Sequence, residues 1–232
     1  MDDLVIKIAA IESRLCAVTS IAQRDRKDVL LLAVSKTRSA ESIRLVAETG
    51  IKSFGENYLQ EALEKIANLQ SLDLDWHFIG PIQSNKTRQI SENFAWAHSV
   101  DRVKIAQRLN DQRPSHMAPL NICMQINIDN EATKSGFSAE QALPAALEIM
   151  ALPNLNLRGL MAIPAARQNM EAQRLPFAQL RLLLKDINRS LDNSEKLDTL
   201  SMGMSADLEA AILEQATIVR VGTDIFGPRS TK

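Results

Sequence analysis

Eight short apolar runs, each separated from the next by a stretch of helical periodicity, constrain this chain more than any other feature. The runs cover residues 29–35, 51–54, 76–79, 94–98, 122–128, 157–163, 199–202 and 218–221. Helical patterns lie between them, for example over 41–48, 61–69, 102–109, 139–150 and 176–187, with Ser39 placed to cap the first and Gly50 to close it. Alternation of this kind implies parallel strands joined by helical crossovers. About eight units in one chain predict an α/β fold, a closed (β/α)8 TIM-type barrel, with seven or nine units left open by the shortness of the runs. Ahead of the first run, Leu4, Ile8, Ile11, Leu15 and Val18 recur at helical spacing, so residues 2–22 read as an extra N-terminal amphipathic helix.

With 232 residues, 45% of them hydrophobic, the chain has enough apolar material for one barrel core. No Pro/Gly/Ser-rich linker divides it, and few residues follow Val221, so one barrel domain over 1–232 is expected. A net charge of -1 supplies no basic field for a polyanion, which argues against nucleic acid as a partner. No run approaches the roughly 18 apolar residues of a membrane span, and Asp2, Asp3, Glu12 and Arg14 do not suit an export signal. Two widely spaced cysteines, Cys16 and Cys123, exclude a disulfide framework and point to a reducing cytoplasm.

In a barrel, function belongs on the loops after the C-terminal ends of the strands. The unusual residues of this chain fall in that register. Lys36 follows Leu30-Leu31-Leu32-Ala33-Val34-Ser35, and Gly55-Glu56-Asn57-Tyr58 follows the second run. Gly203-Met204-Ser205 and Gly222-Thr223-Asp224 follow the seventh and eighth. Barrels often bind phosphate there, and Ser201, Ser205 and Thr223 offer hydroxyls while Gly203 and Gly222 let backbone N–H groups approach an anion. The plainer reading is that Ser205 is an N-cap and the glycines are turn residues.

Lys36 also has two readings. A lysine ending a strand is ordinarily a snorkelling surface residue. At the inner mouth of a barrel it would instead be partly desolvated, which lowers its pKa from about 10.4 and frees a neutral amine to attack an aldehyde. Arg220 is similarly odd in an apolar strand and reads either as an ion-pair partner or as a ligand contact. His77, His98 and His116 share no metal-ligand spacing, so no metal site is expected, and His77 reads as a satisfied interior histidine. Asn57 either contacts a ligand or caps a helix, Lys134 either meets a ligand at the barrel mouth or is an ordinary loop charge, and Glu61, Glu64 and Lys65 read as a solvated helix face.

Taken in order, Ala33-Val34-Ser35-Lys36-Thr37, Phe54-Gly55-Glu56-Asn57-Tyr58, Trp76-His77-Phe78-Ile79-Gly80 and Gln83-Ser84-Asn85-Lys86 form one set of motifs. Lys134-Ser135-Gly136, Gly159-Leu160-Met161, Ser201-Met202-Gly203-Met204-Ser205 and Arg220-Val221-Gly222-Thr223 complete it. From about Val29 to Phe226 the chain resembles the pyridoxal phosphate homeostasis protein family, also called YggS or PROSC. The resemblance implies the barrel of alanine racemase (fold type III of pyridoxal phosphate proteins) without that enzyme's second domain. It implies pyridoxal 5′-phosphate held as a Schiff base on Lys36, Arg220 facing the pyridine nitrogen, and phosphate contacts from Ser201, Ser205, Gly222 and Thr223. Asp224 departs from the family pattern; beside a phosphate it would repel, so it is expected to point away and cap the last short helix. The resemblance also implies a monomer, with apo-enzymes that use the cofactor as recipients.

Three functions follow from these readings: a carrier for vitamin B6 homeostasis with no catalytic residues of its own, an amino-acid racemase, or a cofactor-free aldolase acting through Lys36. The carrier is favoured. Tyr58 is the only tyrosine, whereas racemisation needs acid–base groups on both faces of its substrate.

Overall fold

The computed structural model describes residues 2–228; residue 1 and residues 229–232 of the expected unit lie outside the described residues. The eight strands are β1 (Leu30–Val34), β2 (Ser53–Glu56), β3 (Asp75–Phe78), β4 (Trp96–Val100), β5 (Leu120–Gln125), β6 (Leu155–Met161), β7 (Thr199–Met204) and β8 (Ile218–Val221). Each pairs in parallel with the next, and β8 closes on β1, giving a (β/α)8 barrel. The crossovers are α2 (Ala40–Ala47), α3 (Leu59–Asn68), α4 (Thr87–Asn93), α5 (Val103–Gln112), α6 (Ala139–Met150), α7 (Met170–Arg189) and α8 (Leu208–Leu213). A single helical turn, α9 (Thr223–Phe226), follows β8.

The N-terminal helix α1 (Asp2–Ile21) buries Ile8, Ile11, Leu15 and Val18, the stripe that its periodicity predicted. It packs on α8 and α9, the helices that follow the last two strands. Leu15 is fully buried there, so Leu15→Ala would cost about 2–5 kcal/mol and loosen that contact first. Ser39 caps α2 by accepting from the Ser42 N–H, and Gly50, at φ 98°, takes the left-handed turn after it. Among the described residues no helix is long and apolar enough to cross a membrane.

Three strands run two residues further at their C-terminal ends than the apolar runs indicated, β4 among them, to Val100. β2 continues through Gly55 and Glu56, which were expected in a loop; Glu56 is fully buried there because Lys65 pairs with it. β7 continues through Gly203 and Met204, where Gly203 adopts φ 90° and a Cβ would lie 2.5 Å from that of Ala211.

Candidate functional site

The C-terminal ends of β1, β2, β3, β6, β7 and β8 close around a cavity of about 310 Å³ at the mouth of the barrel. Lys36, half-buried in the turn after β1, reaches it from one side, and Arg220 rises from β8. Ser205, Ala206, Gly222 and Thr223 supply the loops after β7 and β8, and Asn57, Ile79, Ile163 and Met204 complete the wall. The structure therefore brings together Lys36, Asn57, Ser205, Arg220, Gly222 and Thr223.

Ser201 is the exception. It is fully buried within β7 and does not line the cavity. Its Oγ accepts from Arg220 Nη1 at 2.9 Å, and its carbonyl accepts from the same nitrogen at 2.6 Å. Ser201 thus sits beneath the guanidinium rather than among the loops. Arg220 Nη2 donates to the Ala162 carbonyl at 3.0 Å. A guanidinium has five N–H donors, so Nε–H and one Nη2–H remain for a ligand. Burial lowers the Arg220 pKa to about 10, with Asp207 working the other way, so the group is cationic at neutral pH.

The support under Arg220 extends two residues deeper. His98 Nδ1 lies 2.8 Å from Ser201 Oγ, and His98 Nε2 lies 2.9 Å from His77 Nδ1. One tautomer set fits both contacts: Ser201 donates to His98 Nδ1, and His98 Nε2–H donates to His77 Nδ1. Burial drives the His77 pKa down to about 3 and that of His98 well below the usual value, the latter helped by the charge of Arg220. Both rings are neutral at pH 7, and His77 stacks on Trp96 with centroids 5.4 Å apart. His77 is the interior histidine expected, and its bond to His98 was invisible in the sequence.

Lys65 overturns the reading of α3 as a solvated face. Its ammonium is buried and donates to Glu56 Oε1 at 2.6 Å, to the Ser35 carbonyl at 2.8 Å, and to Glu61. Ser35 Oγ also donates to Glu56, and the Thr37 N–H donates to Glu61 Oε1. The residues on both sides of Lys36 are therefore clamped, and Thr37 is held at φ 63°. Burial raises the Glu56 pKa, opposed by Lys65 and Ser35. The signal was present: Leu59, Ala62 and Lys65 lie on one stripe of α3, so Lys65 belongs to the buried face.

At the loop end, Asp207 N–H donates to the Met204 carbonyl, closing a turn with Ser205 and Ala206 at its centre. The N-cap of α8 is Asp207, not Ser205. Among the described residues no acceptor meets the N–H groups of Ser205, Ala206, Thr223 or Asp224, the last two lying in the first turn of α9. Gly222 brings its backbone close to β1; a Cβ there would lie 3.2 Å from the Val34 carbonyl. Asp224 does point away from the cavity, but it makes an ion pair with Arg14 of α1 at 2.7 Å instead of capping α9.

Asn57 is placed by Gly80, where a Cβ would lie 2.2 Å from the Asn57 carbonyl. Asn57 Oδ1 is buried with no partner among the described residues, which marks it for a donor. A second cavity of about 370 Å³ adjoins the first across Asn57, Ile79 and Ile163, and Lys134 lines it. Lys134 Nζ pairs with Glu131 at 2.6 Å and lies outside the Lys36 cavity.

A barrel with a lysine after its first strand, a buried arginine on the adjoining last strand and open amides on its last two loops defines a class, and residues 6–230 match the family model described as "Alanine racemase, N-terminal domain". The chain is 55% identical over 230 residues, covering 99% of itself and 97% of the relative, to the "Pyridoxal phosphate homeostasis protein" of Pseudomonas aeruginosa. The solved structure of PipY from Synechococcus elongatus "with PLP bound" matches with a TM-score of 0.81 and 35% identity over 94% of this chain and 100% of PipY. Alanine racemase of Clostridium difficile shares the fold, with a TM-score of 0.76 and 15% identity over 100% of this chain and 58% of the racemase. This chain belongs to the pyridoxal phosphate homeostasis protein family.

Proposed function

We propose that this protein holds pyridoxal 5′-phosphate covalently on Lys36 and serves vitamin B6 homeostasis as a carrier, without turning over amino acids. The observation that carries the reading is the convergence of Lys36, Arg220 and the Ser205–Thr223 amides on one cavity. The cofactor, when bound, supplies an aldehyde that condenses with a primary amine and releases water. Among the described residues Lys36 is the one amine in that cavity, and its turn is fixed by the Glu56, Glu61 and Lys65 clamp. Arg220 presents its remaining N–H groups to an acceptor such as a pyridine nitrogen; being cationic, it cannot accept a hydrogen bond from a protonated ring. Backbone N–H groups on Ser205, Ala206 and Thr223, with the Thr223 and Ser205 hydroxyls, suit a phosphate. Ser201 contributes by seating Arg220 rather than by touching phosphate.

Turnover of amino acids requires proton donors and acceptors on both faces of a substrate. Among the described residues that line the Lys36 cavity there is no carboxylate, histidine, cysteine or tyrosine to serve beside Lys36. Tyr58 is 53% exposed and lies outside it. The names of the relatives as homeostasis proteins support the same reading. A monomer in the cytoplasm, handing cofactor to apo-enzymes, is the setting this function implies. The test is to incubate cofactor-loaded protein with each enantiomer of several amino acids in deuterated water. The expected result is a chromophore with no sustained deuterium entry at the α-carbon. Steady turnover that vanishes in Lys36→Ala would establish the racemase instead.

A further inference from the structure

Arg14 is the one side chain of α1 that reaches both loops of the proposed phosphate end. Its Nε donates to Glu209 Oε1 at 2.7 Å and its Nη2 to Glu209 Oε2 at 3.0 Å, a two-pronged pairing with α8. Its Nη1 donates to Asp224 Oδ2 at 2.7 Å in α9, and Nη2 donates to the Ser205 carbonyl at 3.0 Å. No other described residue joins the β7–α8 and β8–α9 segments in this way.

Two physical consequences follow. The peptide after Ser205 is trans, so its C=O and the Ala206 N–H point in opposite directions. Turning the Ser205 carbonyl toward α1 therefore turns the Ala206 N–H away from α1. The second consequence is one of charge. Glu209 and Asp224 place two carboxylates on segments that flank a site read as binding a phosphate, and Arg14 is the cation that meets both. Burial would raise the Glu209 pKa, but the bonds from Arg14 override it and hold the group ionised. These side chains are about one-third exposed (35% for Arg14, 31% for Glu209 and 32% for Asp224), so they are screened but not indifferent to each other.

We propose that Arg14 is a positioning residue for phosphate selectivity: it orients the Ser205–Ala206 peptide and neutralises Glu209 and Asp224, so that α1 sets how strongly the barrel prefers a phosphorylated pyridoxal. This rests on the reading of the cavity as a pyridoxal phosphate site. A merely structural role for Arg14, as a strap holding α1 to the barrel, makes a different forecast. It would weaken phosphorylated and unphosphorylated ligand alike.

The experiment measures dissociation constants for pyridoxal 5′-phosphate and for pyridoxal by absorbance titration, at low and at higher salt, on the full chain. In Arg14→Met the affinity for the phosphorylated ligand falls about ten-fold or more while that for pyridoxal changes less than about two-fold. The loss is larger at low salt, because two uncompensated carboxylates act over the Debye length. Adding Asp224→Asn in the Arg14→Met background restores several-fold. Asp224→Asn alone, a change at a third-exposed side chain that leaves α1 in place, tightens the phosphorylated ligand and leaves pyridoxal unchanged. Equal losses for both ligands in Arg14→Met, or no effect of Asp224→Asn in either background, would overturn the proposal. If the unaltered protein bound neither ligand, the reading of the site itself would fail instead.

Discussion

The two ends of the proposed cofactor site are built by different means. At the ring end, Lys36 and Arg220 stand on buried polar groups: Glu56 with Lys65 on one side, and Ser201, His98 and His77 on the other. At the loop end, Ser205, Ala206 and Thr223 line the same cavity and their backbone N–H groups meet no acceptor among the described residues, beside a one-third-exposed ion cluster around Arg14. A buried charge or hydrogen-bond chain has no water to fall back on, so losing one member leaves its partner uncompensated. Surface ions and amides lose little folding energy when disturbed, and their effect is on the ligand. Damage at the ring end should therefore appear as instability, and damage at the loop end as lost discrimination.

The largest expected effect breaks the comparison at the ring end. Lys65→Met leaves Glu56, fully buried in β2, without its counter-ion. Removing one partner of such a pair costs about 3–5 kcal/mol, and Lys65→Met combined with Glu56→Gln should recover part of it. Urea denaturation of the two variants checks this, and a loss below about 1 kcal/mol in Lys65→Met would show that the pair is solvated.

The next effect is pH dependence. Burial depresses the folded-state pKa of His77 to about 3 and that of His98 well below its usual value, whereas the unfolded chain titrates near 6.5. Below 6.5 the unfolded state takes up protons that the folded state refuses. The stability from this term is thus complete above about pH 6.5 and lost as pH falls toward 3. Each histidine contributes a slope of about 1.4 kcal/mol per pH unit. Stability measured between pH 6.5 and 5 should fall accordingly, and His77→Phe should remove about half the slope. An unchanged slope in that variant would place the titration elsewhere.

Two smaller effects sharpen the contrast by ligand. Ser201→Ala removes the hydroxyl that accepts from Arg220, a charge-assisted bond worth about 1.5–3 kcal/mol. It should lower folding stability, and whatever ligand affinity is lost with it should be lost equally for pyridoxal 5′-phosphate and pyridoxal. Thr223→Val, at the exposed start of α9, should weaken only the phosphorylated ligand, by roughly five- to ten-fold. Comparing both ligands on both variants separates the two ends, and a phosphate-specific loss in Ser201→Ala would return Ser201 to the phosphate site.

Sequence patterning reached those features whose cause is local. The run 218–221 coincides with β8, α6 spans the expected 139–150, and the apolar stripe of α1 is buried as its spacing required. Lys36 was legible because an apolar strand ends two residues before it. Features whose cause lies elsewhere in the chain were not. Glu56 looked like a loop residue because the ammonium that lets it enter β2 comes from α3, nine positions away. Ser201 read as a phosphate contact because it offers a hydroxyl near the last two loops, but that hydroxyl is held beneath Arg220, nineteen residues on in the next strand. Arg14 and Asp224 are 210 residues apart, and each alone is an ordinary surface charge. In each case the stripe or strand was visible, but the partner came from another element brought against it by the fold.

Borohydride reduction of the cofactor-loaded protein, followed by peptide mapping of the modified lysine, tests the central claim most directly. The account predicts that the label falls on Lys36, and that Lys36→Ala keeps its fold but yields no reducible chromophore. Label found mainly on Lys86 or Lys134, or a chromophore that survives Lys36→Ala, would contradict it.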